Sequence, residues 1–259
     1  MSDNLVVMGT VYSLLAGLGT GVGAVLVYLI RTLSKRIEDG LLSLAAGIML
    51  AASVFSLILP GIDYGLELGY AEPVAVAVVI AGLLLGAIIL FVIHNYVPHE
   101  HFFIGREGPD TRMLSRVWLF VIAITLHNFP EGMAVGVGFG GGNIANGQAL
   151  ALGIGLQNIP EGLAVAASML TIGYTRTQAF AVAFLTGLAE PVGGFFGSVA
   201  VGLTEPLLPW ALGFAAGAML FIISDEIIPE THRGHFQNLA TFTLLVGFCV
   251  MMFLDATLG

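Results

Sequence analysis

Charge is the scarcest ingredient of this sequence. Only 10% of its 259 residues are Asp, Glu, Lys or Arg and 57% are hydrophobic, whereas soluble domains carry about 25% charged residues. With a mean hydropathy of +0.97, the chain cannot cover itself with polar surface. A soluble fold is thereby excluded and an integral membrane protein remains. Basic residues number eight and form no patch, so no nucleic acid is expected as a partner. One cysteine, Cys249, leaves no internal disulfide framework; it lies in the last apolar segment and is expected to be buried. There is no P-loop to hydrolyse a nucleotide and no His-Glu-x-x-His run to build a metalloprotease. Residues Met1 to Asn4 lack the basic region of a signal peptide, so the first apolar run is expected to remain as a span.

Long apolar runs fill what is left. Eight segments approach the roughly 20 residues that a membrane helix needs: Leu5 to Ile30, Leu41 to Pro60, Pro73 to Val97, Val117 to Phe139, Gln148 to Ile172, Gln178 to Leu203, Leu207 to Ile228 and Leu239 to Leu258. The expected fold is an all-α polytopic membrane protein of eight transmembrane helices, a single domain over residues 1–259. Arg31, Lys35 and Arg36 fall between helices 1 and 2, Arg106, Arg112 and Arg116 between 3 and 4, Arg176 between 5 and 6, and Arg233 between 7 and 8. All lie on one side of an eight-span topology. The positive-inside rule makes that side cytoplasmic, with both termini extracytoplasmic; the setting is the inner (plasma) membrane, with the lipid bilayer as a partner.

The formal net charge is −9, yet several acids sit within the spans. In the fourth and fifth, His127-Asn128-Phe129-Pro130-Glu131-Gly132 is followed 30 residues later by Gln157-Asn158-Ile159-Pro160-Glu161-Gly162. Charged and amide side chains are expensive at that depth and mark function. Each proline donates no N–H and frees a carbonyl, of Leu126 and of Leu156, so loosened backbone is expected there, covered by protein or a watery cavity. Residues i and i+4 share a helix face, so His127 can meet Glu131 and Gln157 can meet Glu161. The sixth span adds Glu190-Pro191.

Three buried carboxylates repel unless they are protonated or bridged by cations. One or two divalent ions would settle that charge. Imidazole with carboxylate and amide oxygens suits Zn, Fe, Mn, Co or Cd, whereas oxygen alone suits Mg or Ca; His127 is the selective ligand. Met49 could add a thioether, although a membrane methionine usually only fills space. Along the axis, Asp63 and Asp255 belong to the outer ends, the glutamates to the middle, and His94, His99, Asp225 and Glu226 to the inner end. Such an order suits permeation, because each site must bind and also release. His101, His232 and His235 lie on the inner side and read as solvated loop residues.

At these residues the chain resembles the ZIP family of divalent-metal transporters, in its bacterial branch. The resemblance covers nearly the whole chain and is carried by His127-Asn-x-Pro-Glu131-Gly, Gln157-Asn-x-Pro-Glu161-Gly, Glu190-Pro191 and Asp225-Glu226-Ile-Ile-Pro229-Glu-x-His232. It implies a binuclear centre: His127, Glu131, Gln157 and Glu161 with Met49 as one site, and Asn128, Asn158 and Glu190 as the other, the glutamates 131 and 161 bridging. It further implies an entrance at Asp63 and Asp255, an exit at His99 and Asp225-Glu226, a homodimer, and motion of helices 1, 4, 5 and 6 against 2, 3, 7 and 8. Position 94 is His where similar proteins often have Asp, and position 225 is Asp where the bacterial branch has His. The expectation is therefore an importer, not an enzyme, with no prosthetic group, carrying Zn2+ or else Cd2+, Fe2+ or Mn2+. A proton-coupled organic-solute transporter is the alternative, in which buried glutamates carry protons; His127 and the paired amides fit it less well.

Overall fold

Helix is the dominant solution for an apolar chain, because it satisfies every interior backbone group within one segment. The computed structural model describes residues 2–29, 34–96, 99–101, 105–107, 116–139, 142–203, 205–233 and 235–258. Among them, eight helical rods carry the chain: α1 (Ser2–Val25), α2 (Lys35–Glu67), α3 (Glu72–Tyr96), α4 (Arg116–Gly138), α5 (Ile144–Thr171), α6 (Arg176–Gly187, resuming as Ala189–Leu203), α7 (Leu208–His232) and α8 (Gln237–Leu258). Seven of these, all but α4, are long and apolar enough to cross a membrane. The molecule is thus a polytopic, helical membrane protein. A small departure from all-α lies between α3 and α4, where β1 (His99–His101) pairs antiparallel with β2 (Gly105–Glu107), Glu100 opposite Arg106.

Polar residues at the ends of the apolar runs cap the helices. The side chains of Ser34 and Asn143 accept from the backbone N–H three residues on, opening α2 and α5, and Thr175 with Gln178 forms a reciprocal capping box on α6. Gly173, at φ +88°, takes the left-handed conformation that turns the chain after α5.

Proline acts elsewhere than expected. Pro130 and Pro160 lie inside unbroken helices, so the loosened backbone anticipated beside the duplicated motif is absent from the described residues there. The irregularities fall in α2, α6 and α7. Helix α2 does not stop at Pro60; it passes through a π-helical turn at Ser53–Ile58 and resumes to Glu67. Helix α7 repeats the device, with a π turn at Ile223–Ile227 followed by Pro229. In both, proline enters at the start of the renewed α-helix, where a missing N–H is tolerated. Helix α6 breaks at Leu188 and restarts just before Pro191.

Packing divides the rods into two sets. Helices α1, α4, α5 and α6 pack against one another, chiefly α4 on α6 and α1 on α5, while α3 packs on α7 and α8 on α2. The sets meet where α2 and α8 touch α5 and where α4 touches α7. An apolar core fills that junction, with Met49, Leu57, Phe139, Leu150, Ile154, Leu212, Met219 and Met251 fully buried in it. A second cluster, including Ala24, Val121, Val165, Met169 and Ala183, lies within the first set alone. Cys249 is not buried: it is exposed on α8 beside Phe242, Val246, Val250 and Phe253, an apolar face with lipid as its natural solvent.

Candidate metal centre

Helices α4, α5 and α6 bring the motif residues to one buried place. Asn128, Glu131, Gln157, Asn158 and Glu190 are wholly inaccessible, Glu161 is 3% exposed and His127 7%. The glycines of the two motifs make the convergence possible. A Cβ on Gly132 would fall on the backbone of Glu190, and one on Gly162 on the carbonyl of Thr20 in α1. Only glycine lets the backbones approach so closely.

Amides from α5 reach across to the carboxylates of its neighbours. Gln157 Nε2 donates to Glu131 Oε1 at 2.6 Å, and Asn158 Nδ2 donates to Glu190 Oε1 at 2.7 Å and to the carbonyl of Ala16 at 2.9 Å. Each amide spends its donors on protein and turns its oxygen elsewhere. What remains is a set of buried oxygens without a hydrogen-bond partner among the described residues: Glu131 Oε2, Gln157 Oε1, Asn158 Oδ1, Glu161 Oε2 and Glu190 Oε2, together with both polar atoms of Asn128. Each such atom costs about 1–3 kcal/mol when left unmatched. Glu131 interacts electrostatically with both Glu161 and Glu190, and Glu161 with Glu190. An oxygen-rich cluster of this kind fits a divalent cation, which would accept several lone pairs at once. Among the described residues no three His, Cys, Asp or Glu side chains close round one point as they stand; amides interleave the carboxylates.

His127 reaches toward α7. Its Nε2 pairs with Glu226 Oε2 at 2.5 Å, and it also interacts with Glu161. Glu226 is 6% exposed in the π turn of α7, so it borders the central set. Asp225, one residue earlier, is exposed. Met49 is fully buried in the apolar core. His94 lies in the last turn of α3 and His99 opens β1; their side chains are outside the described ones. At the other end, Asp63 is exposed near the end of α2, and Asp255 of α8 accepts a 2.6 Å bond from Ser56 Oγ.

Three features escaped sequence reasoning. The carbonyl of Ala16 orients Asn158, and a backbone atom in an apolar helix leaves no signal in sequence. Asn146, 5% exposed, donates to the carbonyl of Ser56; a polar residue inside the first turn of a span was the available clue. The wholly buried Asp39 pairs with Lys35 at 2.8 Å, and Lys35 also reaches Glu230 at 3.5 Å; sequence alone reads these as loop charges.

Buried carboxylates and amides on three packed helices, set within a bundle of apolar rods, define a polytopic membrane protein with a polar interior. Known proteins narrow the class. The family described as ZIP Zinc transporter matches residues 98–255. Over 251 residues the chain is 46% identical to the zinc transporter GufA of Myxococcus xanthus, covering 97% of this chain and 99% of that protein. It is 44% identical to the zinc transporter ZIPB of Bordetella bronchiseptica, covering 93% and 78%, and 34% identical to the human zinc transporter ZIP11, covering 93% and 94%. The chain belongs to the ZIP family of metal transporters; it is a transporter and not an enzyme.

Proposed function

We propose that this protein carries Zn2+, and with it Cd2+, Fe2+ or Mn2+, across the inner membrane into the cytoplasm by alternating access. The cargo binds at a binuclear centre of Met49, His127, Asn128, Glu131, Gln157, Asn158, Glu161 and Glu190. The observation that carries this reading is the cluster of buried oxygens on α4, α5 and α6 that have no hydrogen-bond partner among the described residues. Asp63 and Asp255 receive the ion, and Glu226, Asp225, His94 and His99 pass it on. The names of the relatives support zinc as the main cargo. All eight rods, α4 included, cross the bilayer within a single domain over residues 1–259, with both termini outside, and two copies form a homodimer.

In this scheme the set α1, α4, α5 and α6 moves against the set α2, α3, α7 and α8, and the division of the packing supports that partition. The pair His127–Glu226 joins the two sets and hands the ion from the centre to the inner route. Gln157 and Asn158 hold Glu131 and Glu190 apart until an ion draws the carboxylates together. No prosthetic group takes part. The membrane potential can drive entry, at about 2.3 kcal/mol per elementary charge per 100 mV.

The test is uptake of radioactive zinc into proteoliposomes, with and without a pH gradient, comparing wild type with Glu131→Ala. Saturable uptake that falls at least tenfold in the variant is expected. Uptake indifferent to Glu131 would sink the proposed centre, and zinc uptake absent from the wild type would favour proton-coupled transport of an organic solute.

A further inference from the structure

We infer that Asn146 is a positioning residue for the outer carboxylate Asp255 and acts on it through Ser56. The inference rests on the proposal above that Asp255 receives the incoming ion. Its first link is a defect in α2. Pro60 stands four residues after Ser56 and has no N–H, so the carbonyl of Ser56 loses its ordinary helical donor. The π turn at Ser53–Ile58 carries that carbonyl. Asn146 Nδ2 donates to that carbonyl at 3.1 Å, across from α5.

The second link runs from the same residue. Ser56 is wholly buried, and its Oγ donates to Asp255 Oδ1 at 2.6 Å. Backbone and side chain of one serine therefore connect the amide of Asn146 to a carboxylate on α8. Asn146 is itself held, since its backbone N–H donates to Asn143 Oδ1 at 3.1 Å in the cap of α5. Remove the amide and the buried Ser56 carbonyl loses the donor that α5 supplies. The local turn must then find another partner, and the hydroxyl that holds Asp255 moves with it. Three helices contribute: α5 anchors, α2 transmits and α8 presents the carboxylate.

The test is zinc uptake kinetics in proteoliposomes for Asn146→Ala, Asn146→Gln, Ser56→Ala, Ser56→Thr and Asp255→Ala, with the double variant of Asn146→Ala and Asp255→Ala. We expect Asn146→Ala and Ser56→Ala to raise KM about three- to tenfold, the scale of one hydrogen bond, with Vmax per folded protein changed less than twofold. Asn146→Gln and Ser56→Thr, which keep the donors, should recover part of the loss. In the Asp255→Ala background, Asn146→Ala should add nothing, because a residue acting through another is silent once that other is gone. Losses that multiply in the double variant would overturn the inference, as would a fall in Vmax and melting temperature with KM unmoved in both the Asn146 and Ser56 series. If Asp255→Ala itself leaves KM unchanged, the outer receiving role fails and the inference falls with it. A raised KM in Asp255→Ala alone would spare that role and reject only the positioning.

Discussion

In the proposed centre His127 supplies the one imidazole. Carboxylate and amide oxygens accept most divalent ions, whereas imidazole favours the borderline-soft ones. His127→Ala is expected to weaken competition by zinc for uptake at least fivefold more than competition by manganese; equal losses for both ions would reject His127 as the selective ligand. The same residue shows the reach of sequence reasoning. Its depth and its partnership with a duplicated motif were legible, since His, Asn and Glu in an apolar run are costly wherever the run is placed. Its pairing with Glu226 was not, because the partner lies 99 positions away and only the contact of α4 with α7 brings the two together.

At the scale of the element, small residues decide how near the helices come. Gly132 and Gly162 follow the motif glutamates directly, so each carboxylate is delivered where two backbones nearly touch. In a bilayer, where lipid is as apolar as the side chains, close packing of this kind supplies much of the association between helices. Gly162→Ala would place a methyl on the carbonyl of Thr20. Overpacking of that sort costs about 1–3 kcal/mol, so the melting temperature of the detergent-solubilised protein should fall by several degrees. An unchanged melt would mean that α1 yields freely. Helix existence was plain from the apolar runs, but helix regularity was not. Pro130 and Pro160 look like breaks and sit in continuous helices, while Pro60 and Pro229 follow π turns. The prolines are chemically alike, and at Pro60 a neighbouring helix offers a donor to the freed carbonyl, from Asn146 to Ser56.

For the whole molecule, the centre is a store of unmet hydrogen-bonding capacity that ion binding would release. A ligand that binds the folded state alone stabilises it by RT ln(1 + [L]/Kd), about 2.7 kcal/mol at a hundredfold excess over Kd. Zinc should therefore raise the melting temperature of the wild type, and the increment should disappear in the double variant of Glu131→Ala and Glu161→Ala. A shift that survives both substitutions would place the ion elsewhere. The glutamates 131, 161 and 190 come from three helices, so the effect belongs to their assembly rather than to any one of them.

Sequence by itself determined the membrane setting, the approximate helices, the family resemblance and the list of polar residues worth attention. These follow from local quantities: the hydropathy of a run, the cost of a buried charge, the spacing of a repeated motif. Tertiary structure alone decided which of those residues meet. Gln157 holds Glu131, Asn158 holds Glu190, His127 turns to Glu226, and Asp255 is gripped from α2. Hydrogen bonds and ion pairs between helices depend on rotation and depth within about an ångström, and a membrane span of uniform hydropathy carries no record of either.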